Sequence, residues 1–180
     1  MCAVHVNDTV LFGEWDSNGR GSESSWWAYL IKLIDEFGAN RNNARQALCF
    51  EEQVDERIFG RYEQLIDYCP NTRNLVHGDF GFPNLLSDGK KITAVIDWQG
   101  SKYGDFLYDL AWLDLFRENS GYVELLLKHY RDTGVSVPGF HERVLCYKLH
   151  FGLNALMFHS DSCQEHNYNW TKGRLLGLLK

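Results

Sequence analysis

The sequence predicts an α+β domain that is mostly helical and has a single β-hairpin near its middle. Apolar residues recur at helical spacing over most of the chain, whereas the middle contains short apolar runs separated by turn residues. The chain has 180 residues, 44% of them hydrophobic and 23% charged, which is typical of one soluble globular domain. We therefore expect residues 1–180 to form a single domain.

Four segments of different composition follow one another along this domain. Residues 1–25 are expected to be linker-like, because the stretch 13–25 is rich in Gly, Ser, Asn and Asp and has no apolar periodicity. Residues 26–76 are expected to be helical, residues 77–109 to form loops around the hairpin, and residues 110–180 to be helical again.

The first helical segment is expected to contain two helices. The first helix would begin at Trp26, after a cap from Ser24 or Ser25, and end at Gly38. The second would span Glu51–Tyr68, with acidic residues in its first turns, where the helix dipole favours them.

The middle of the chain predicts short strands. Apolar runs occur at Asn74–Val76, Asn84–Leu86 and Ile92–Ile96, and the sequence SDGKK between the last two is typical of a hairpin turn, with Gly89 at its strained position. Helical spacing then returns and predicts four further helices, at Gly104–Arg117, Ser120–Asp132, Pro138–Ser160 and Ser162–Leu179.

Charge and cysteine content limit the partners. Lys and Arg number 18 against 24 Asp and Glu, a net charge of −6 without a basic stripe, so we expect no nucleic-acid partner. An acidic surface suits a cationic ligand, but charge alone favours the alternative that the acidity only aids solubility. No apolar run approaches the ~20 residues that span a bilayer, so we expect no membrane partner. The five cysteines form no CxxC pair, which is typical of reduced thiols in a cytoplasmic protein.

The stretch HGDFGFPN and the hairpin after it carry the residues typical of a reaction centre. Asn84 would open the first hairpin strand and Asp97 would close the second, so their side chains should lie close together. An amide oxygen and a carboxylate are ligands that suit Mg²⁺, which usually binds one or two carboxylates together with substrate phosphates. Asp79 would lie nearby as an acceptor for a hydroxyl proton. His77, Asp79 and Asn84 match the spacing H-x-D-x-x-x-x-N of kinase catalytic loops, so the pattern predicts phosphoryl transfer.

These motifs resemble the aminoglycoside phosphotransferase family, kinases with a protein-kinase-like fold. The stretch HGDFGFPN resembles the family's catalytic loop, and ITAVIDWQGSKYGDFLYDLAWL resembles its metal-binding segment and the helix after it. The longer run CPNTRNLVHGDFGFPNLLSDGKKITAVIDW resembles most closely the family's hygromycin B phosphotransferase branch. The resemblance implies the C-terminal lobe of that fold, with the central hairpin belonging to its active site.

The resemblance also implies roles for individual residues. Asp79 would be the catalytic base, and Asn84 and Asp97 would hold Mg²⁺ against the phosphates of ATP. His77 would support the catalytic loop, although a satisfied core histidine is the alternative. Asp105 and Asp109 would brace the catalytic loop from the start of the following helix. The alternatives are an ordinary helix cap for Asp105 and a solvated helix residue for Asp109.

By the same resemblance, the chain would phosphorylate a hydroxyl of a small cationic acceptor, such as an aminoglycoside or a hygromycin-like aminocyclitol, and so confer antibiotic resistance. The acidic helix Glu51–Asp67 and the C-terminal helices would line the acceptor pocket. Choline, a macrolide, a sugar or homoserine are alternative acceptors.

One feature of the family is missing from the sequence. Nothing before His77 matches a phosphate-covering glycine loop or a strand that ends in a phosphate-binding lysine, so the N-terminal lobe that covers ATP is expected to be absent. The alternative function is therefore an incomplete or inactive C-lobe that acts as a binding module and self-associates through its uncovered cleft.

Overall fold

The computed structural model describes residue 6 and residues 8–32, 50–117 and 120–180. Six helices and six strands occupy these residues. The strands are β1 (Phe12–Trp15), β2 (Gly21–Glu23), β3 (Asn74–Val76), β4 (Leu85–Ser87), β5 (Ile92–Val95) and β6 (Lys102–Gly104). The helices are α1 (residues 26–32), α2 (Glu52–Leu65), α3 (Leu107–Leu115), α4 (Tyr122–Asp132), α5 (Phe140–Asp161) and α6 (Glu165–Leu178). Single 3₁₀ turns lie at Ile66–Tyr68, Phe82–Asn84 and Trp98–Gly100.

The predicted fold class agrees with this architecture, but the linker expected before residue 26 is wrong. Strands β1 and β2 lie within it and form a hairpin, and β1 also pairs with β6 in an antiparallel sheet of order β2-β1-β6-β3. The polar residues that suggested a linker form the hairpin's turn, where the Asp16 carboxylate accepts hydrogen bonds from the amides of Asn18 (2.9 Å) and Arg20 (3.0 Å). The Gly, Ser, Asn and Asp residues of this stretch are therefore explained by the requirements of the turn rather than by a linker.

Helix α5 is the centre of the helical layer and packs against α2, α3 and α6. It is buried on most of its circumference, so it lacks the one-sided apolar stripe of a surface helix. Helix α1 is capped by Ser25, whose hydroxyl accepts a hydrogen bond from the Ala28 amide at 2.9 Å, as expected. The predicted end of this helix at Gly38 lies outside the described residues.

Trp26 joins the sheet to the helical layer. Its side chain is fully buried, and its indole N–H donates to the Tyr147 hydroxyl of α5 at 2.9 Å. A Cβ at Gly104 of β6 would lie 2.4 Å from the indole ring, so only glycine lets the strand pack this closely. This contact fixes β6, and the segment before α3, against the core.

The predicted central hairpin is present as β4 and β5, with Leu85 paired to Val95. Gly89 has a φ of +86° in its turn, the left-handed conformation expected there. The helices after it begin two or three residues later than the sequence predicts: Pro138, expected in the first turn of α5, precedes the helix, and Gly104 belongs to β6. Within the described part of the chain, no helix is both long and apolar enough to cross a membrane.

Candidate active site

The segment between β3 and β4, residues 77–84, is the predicted catalytic loop, and Asp109 of α3 anchors its start. One carboxylate oxygen of Asp109 accepts a hydrogen bond from the His77 amide at 2.9 Å, and the other accepts one from the Gly78 amide at 2.8 Å. Asp109 is only 4% exposed, so the alternative of a solvated helix residue is wrong. Burial raises the pKa of this carboxyl, whereas the two amides and the charge of Lys102 act in the opposite direction.

His77 links the catalytic loop to the end of the hairpin. Its Nδ1 accepts a hydrogen bond from the Asp79 amide at 3.3 Å, and its Nε2 lies 2.9 Å from the Ile96 carbonyl oxygen. Because Nδ1 is an acceptor, Nε2 carries the proton and donates to that carbonyl. The buried ring therefore holds Asp79 and Ile96, and with it the neighbouring Asp97, at a fixed separation.

Asn84 orients the Asp79 side chain. Its amide nitrogen donates to the Asp79 carboxylate at 3.1 Å and to the Asp79 carbonyl oxygen at 2.9 Å. With the nitrogen engaged, the amide oxygen of Asn84 is left without a hydrogen bond among the described residues. One carboxylate oxygen of Asp79 is likewise free to accept a proton.

Asp97 lies beside Asn84 at the open end of the hairpin. The Ile96 amide donates to the Asn84 carbonyl oxygen at 2.9 Å, which places Asp97 one residue beyond this pairing. Asp97 has φ 61° and ψ 62°, a left-handed conformation that is unusual for a non-glycine residue and is often found at functional sites. Its exposed carboxylate makes no hydrogen bond within the described part of the chain.

Gly78 allows the catalytic loop to touch the turn that follows Asp97. Its φ is +83°, and a Cβ at this position would lie 2.1 Å from the carbonyl oxygen of Gly100. No side chain fits between these two backbones. The glycine between His77 and Asp79 therefore sets the distance between the predicted base and the predicted metal ligands.

The oxygens present fit a hard divalent cation. Asn84 and Asp97 both lie at the open end of the hairpin, and among the described residues the amide oxygen of Asn84 and the carboxylate of Asp97 accept no hydrogen bond. Mg²⁺ takes such ligands together with phosphate oxygens and water. No group of three His, Cys, Asp or Glu side chains in the described residues could hold a metal ion by itself. Any Mg²⁺ here would therefore depend on ligand phosphates to complete its coordination.

Asp105 does not contact the catalytic loop, contrary to expectation. Its carboxylate pairs with Arg143 of α5 (2.6 and 2.8 Å) and accepts hydrogen bonds from the Tyr147 hydroxyl (2.7 Å) and from the amide of Leu107, the first residue of α3 (3.2 Å). The cap position of α3 is Phe106, so Asp105 is not an ordinary helix cap either; its carboxylate fastens the start of α3 to α5. Because Asp105 and Asp109 lie four residues apart and on different sides of the start of α3, one reaches the core and the other reaches the loop.

Lys102 is a buried cation behind the catalytic loop that sequence reasoning did not identify. Its ammonium donates to the Tyr29 hydroxyl at 3.3 Å and lies 5.3 Å from the centre of the Tyr108 ring. Burial lowers its pKa, while the charges of Glu14 and Asp109 counteract the effect. Nothing in the sequence around Lys102 indicates that this lysine is buried, because β6 is only three residues long. A charged residue within the largely buried α5, such as Arg143, does indicate that a buried partner of opposite charge is present.

A cavity of about 300 Å³ lies next to Asp79, between the catalytic loop and the C-terminal end of α3. Helix α2, the acidic helix expected to line the acceptor pocket, contributes no residue to it. Residues of α2 instead border a separate cavity of about 580 Å³ with the C-terminal residues 178–180.

Among the known proteins that resemble the chain in sequence or structure are several kinases and phosphotransferases. The chain is 26% identical to the hygromycin-B 4-O-kinase of Escherichia coli over its whole length, but it spans only 52% of that kinase. A thermostable mutant of aminoglycoside phosphotransferase APH(4)-Ia, solved with AMP-PNP and hygromycin B, superposes with a TM-score of 0.79 at 23% identity, covering 98% of this chain and 59% of that one. A choline/ethanolamine kinase family protein from Mesorhizobium loti gives a TM-score of 0.63 at 21% identity, covering 84% and 53%.

These similarities confirm the kinase-like fold predicted from the motifs, because the two solved structures, both under 25% identical, superpose on 98% and 84% of this chain. The family resemblance is confirmed independently, because the profile of the phosphotransferase enzyme family matches residues 19–140, a span that contains the catalytic loop and the hairpin. The chain therefore belongs to the phosphotransferase enzyme family.

Proposed function

We propose that this chain transfers the γ-phosphoryl group of ATP, with Mg²⁺, to a hydroxyl of a small molecule. The observation that carries the proposal is the grouping of Asp79, Asn84 and Asp97 at one end of the β4–β5 hairpin, where each has an oxygen that accepts no hydrogen bond from the described residues. The chain spans about half the length of the curated kinase it matches, so the activity of that kinase is a proposal for this chain.

In the proposed reaction Asp79 is the base that accepts the proton of the acceptor hydroxyl. The acceptor hydroxyl oxygen forms a bond to the γ-phosphorus, the bond from that phosphorus to the bridging oxygen breaks, and ADP leaves with the electron pair. The hydroxyl proton passes to the free oxygen of the Asp79 carboxylate. Asn84 keeps this carboxylate in place, and His77 and Asp109 hold the backbone beneath it.

Asn84 and Asp97 would hold Mg²⁺ through the amide oxygen and the carboxylate. These two ligands would keep a divalent cation beside the phosphates, where its positive charge would offset negative charge that develops during transfer. The left-handed backbone at Asp97 supports this role, because strained conformations of non-glycine residues cluster at functional sites.

The acceptor we propose is a small cationic molecule such as an aminoglycoside or a hygromycin-like aminocyclitol. The name of the Escherichia coli relative and the net charge of −6 support this class. Such an activity would operate in the cytoplasm, where ATP is available, and would confer resistance to the antibiotic.

The proposal is tested by replacing the base. In assays of ADP release with Mg²⁺-ATP, hygromycin B and a panel of aminocyclitols, we expect Asp79→Ala to lower the rate roughly 10²–10⁴-fold. Asp161→Ala, which removes an exposed carboxylate at the end of α5, is the matched control and should keep the wild-type rate. Equal rates for Asp79→Ala and Asp161→Ala would remove Asp79 from the mechanism.

A second candidate function is a binding module that does not catalyse transfer. It is favoured by the exposed apolar side chains of the hairpin, Leu86 and Ile92, which would support self-association. Calorimetric titration with Mg²⁺-ATP separates the two functions, since clear binding of ATP by the chain argues against the second.

A further inference from the structure

The cavity beside Asp79 has aromatic walls. Phe80, Phe82, Trp112 and Phe116 line it together with the end of α3. A neighbouring groove of about 590 Å³ shares Phe80 with it and is lined mostly by apolar side chains of α3 and α4. A ring-bearing ligand can therefore pack against these walls while one of its substituents lies at Asp79.

Arg117 is the one cation among the described residues that line this cavity. Its guanidinium carbon lies over the Phe82 ring of the catalytic loop, 4.1 Å from the ring centre, a distance at which the two planar groups can stack. Stacking uses the face and leaves the N–H donors on the edge. Within the described part of the chain, none of these donors has a hydrogen-bond acceptor.

The charges of the cavity are asymmetric. Asp79 is its only carboxylate among the described residues, and the neighbouring groove adds none. The cavity thus offers a ligand two charged groups, the carboxylate of Asp79 and the planar guanidinium of Arg117. A guanidinium edge matches the oxygens of a phosphate group, to which it can donate two parallel hydrogen bonds.

We infer that Arg117 binds the phosphoryl group on the acceptor side, so that the cavity recognises a phosphomonoester of a ring-bearing alcohol. The inference rests on the proposed function, because such a phosphomonoester is the product of that reaction. Arg117 would hold the transferred group after its bond to ADP breaks. The ammonium groups of a cationic acceptor would lie outside this cavity, away from the guanidinium.

Binding of small probes to the full chain tests the inference without ATP. Saturation-transfer NMR with phenyl phosphate, inorganic phosphate, phenol and benzylamine distinguishes the contribution of the aromatic ring to binding from that of the charge. We expect phenyl phosphate to bind most tightly and benzylamine most weakly. Arg117→Gln should weaken phenyl phosphate roughly two- to fivefold, the range for an exposed ion pair, and leave phenol unchanged.

Two further variants serve as controls. Arg117→Lys keeps the charge but loses the planar edge and should give an intermediate affinity, whereas Arg131→Gln removes an exposed cation of α4 outside the cavity and should change nothing. Binding of phenyl phosphate that is insensitive to Arg117→Gln, equally sensitive to Arg131→Gln, or no tighter than that of benzylamine would overturn the inference. Absence of phosphoryl transfer from ATP, with the probe affinities as expected, would instead contradict the proposed function alone.

Discussion

The active site has an anchored side and an open side that differ in how their polar groups are paired. On the anchored side, His77, Gly78 and Asp109 are joined by buried or half-buried hydrogen bonds of 2.8–2.9 Å. On the open side, Asp79, Asn84 and Asp97 keep oxygens without hydrogen bonds in the described residues. A buried polar group is costly unless paired, whereas a group that binds a ligand needs free lone pairs. The two sides therefore separate stability from function within one stretch of chain.

The largest effect on stability should come from the core beneath the anchored side. Asp105→Ala leaves Arg143, which is 4% exposed, as an unpaired buried charge, and we expect a loss of about 3–5 kcal/mol in the free energy of unfolding. Asp132→Ala breaks an exposed pair with Lys128 and should cost less than about 1 kcal/mol. Urea unfolding monitored by circular dichroism measures both. Similar losses for the two variants would show that the Asp105 pair does not anchor α3.

The pH dependence of stability should come next in size. Burial lowers the pKa of His150, which lies against Tyr108, from 6.5 to about 3. A histidine kept neutral in the folded state stabilises it above pH 6.5, and this contribution is lost as the pH falls towards 3. We expect the free energy of unfolding to fall by roughly 3 kcal/mol between pH 7 and pH 4, and we expect no such fall in His150→Gln. Parallel pH profiles of urea unfolding for the two proteins would contradict this origin.

Gly78 lies at the junction of the two sides, so its replacement should affect both. Gly89 also has a positive φ, but a Cβ added there would meet nothing within 4 Å, so Gly89→Ala tests backbone strain alone. We expect Gly78→Ala to cost about 2 kcal/mol more than Gly89→Ala, because its Cβ must displace the Gly100 carbonyl. It should also weaken Mg²⁺ binding, while Gly89→Ala should not. Equal unfolding free energies for the two variants would mean that the close approach is relaxed at little cost.

Much of the fold could be predicted from the sequence because its helices have clear apolar periodicity and its central hairpin has a clear turn. The β1–β2 hairpin was missed because β1 and β2 are short and show no alternation of apolar and polar residues. Strand β1 is held by pairing with the distant β6, which no local pattern reveals. Helix α5 was found, but its boundaries shifted because Gly139, with φ 61°, rather than Pro138 precedes its first turn.

The open side of the site could be predicted because its residues follow fixed spacing around a hairpin. The roles assigned to Asp79, Asn84 and Asp97 remain predictions, although their placement agrees with them. The anchored side was only half predictable: Asp109 contacts the loop as expected, but Asp105 turns to α5. Which of two aspartates faces the loop depends on where α3 begins and on a partner 38 residues away, and neither is encoded in the local motif.

The open side itself should contribute least to stability and most to metal binding. The most direct test is Mn²⁺ binding, in place of Mg²⁺, measured by water-proton relaxation with AMP-PNP present. We expect Asp97→Asn and Asn84→Ala to weaken binding at least about tenfold while changing unfolding by no more than about 0.5 kcal/mol. Asp88→Asn, at the opposite end of the same hairpin, should bind Mn²⁺ as the wild type does. Wild-type Mn²⁺ affinity in Asp97→Asn and Asn84→Ala would contradict a cation site at the open end of the hairpin.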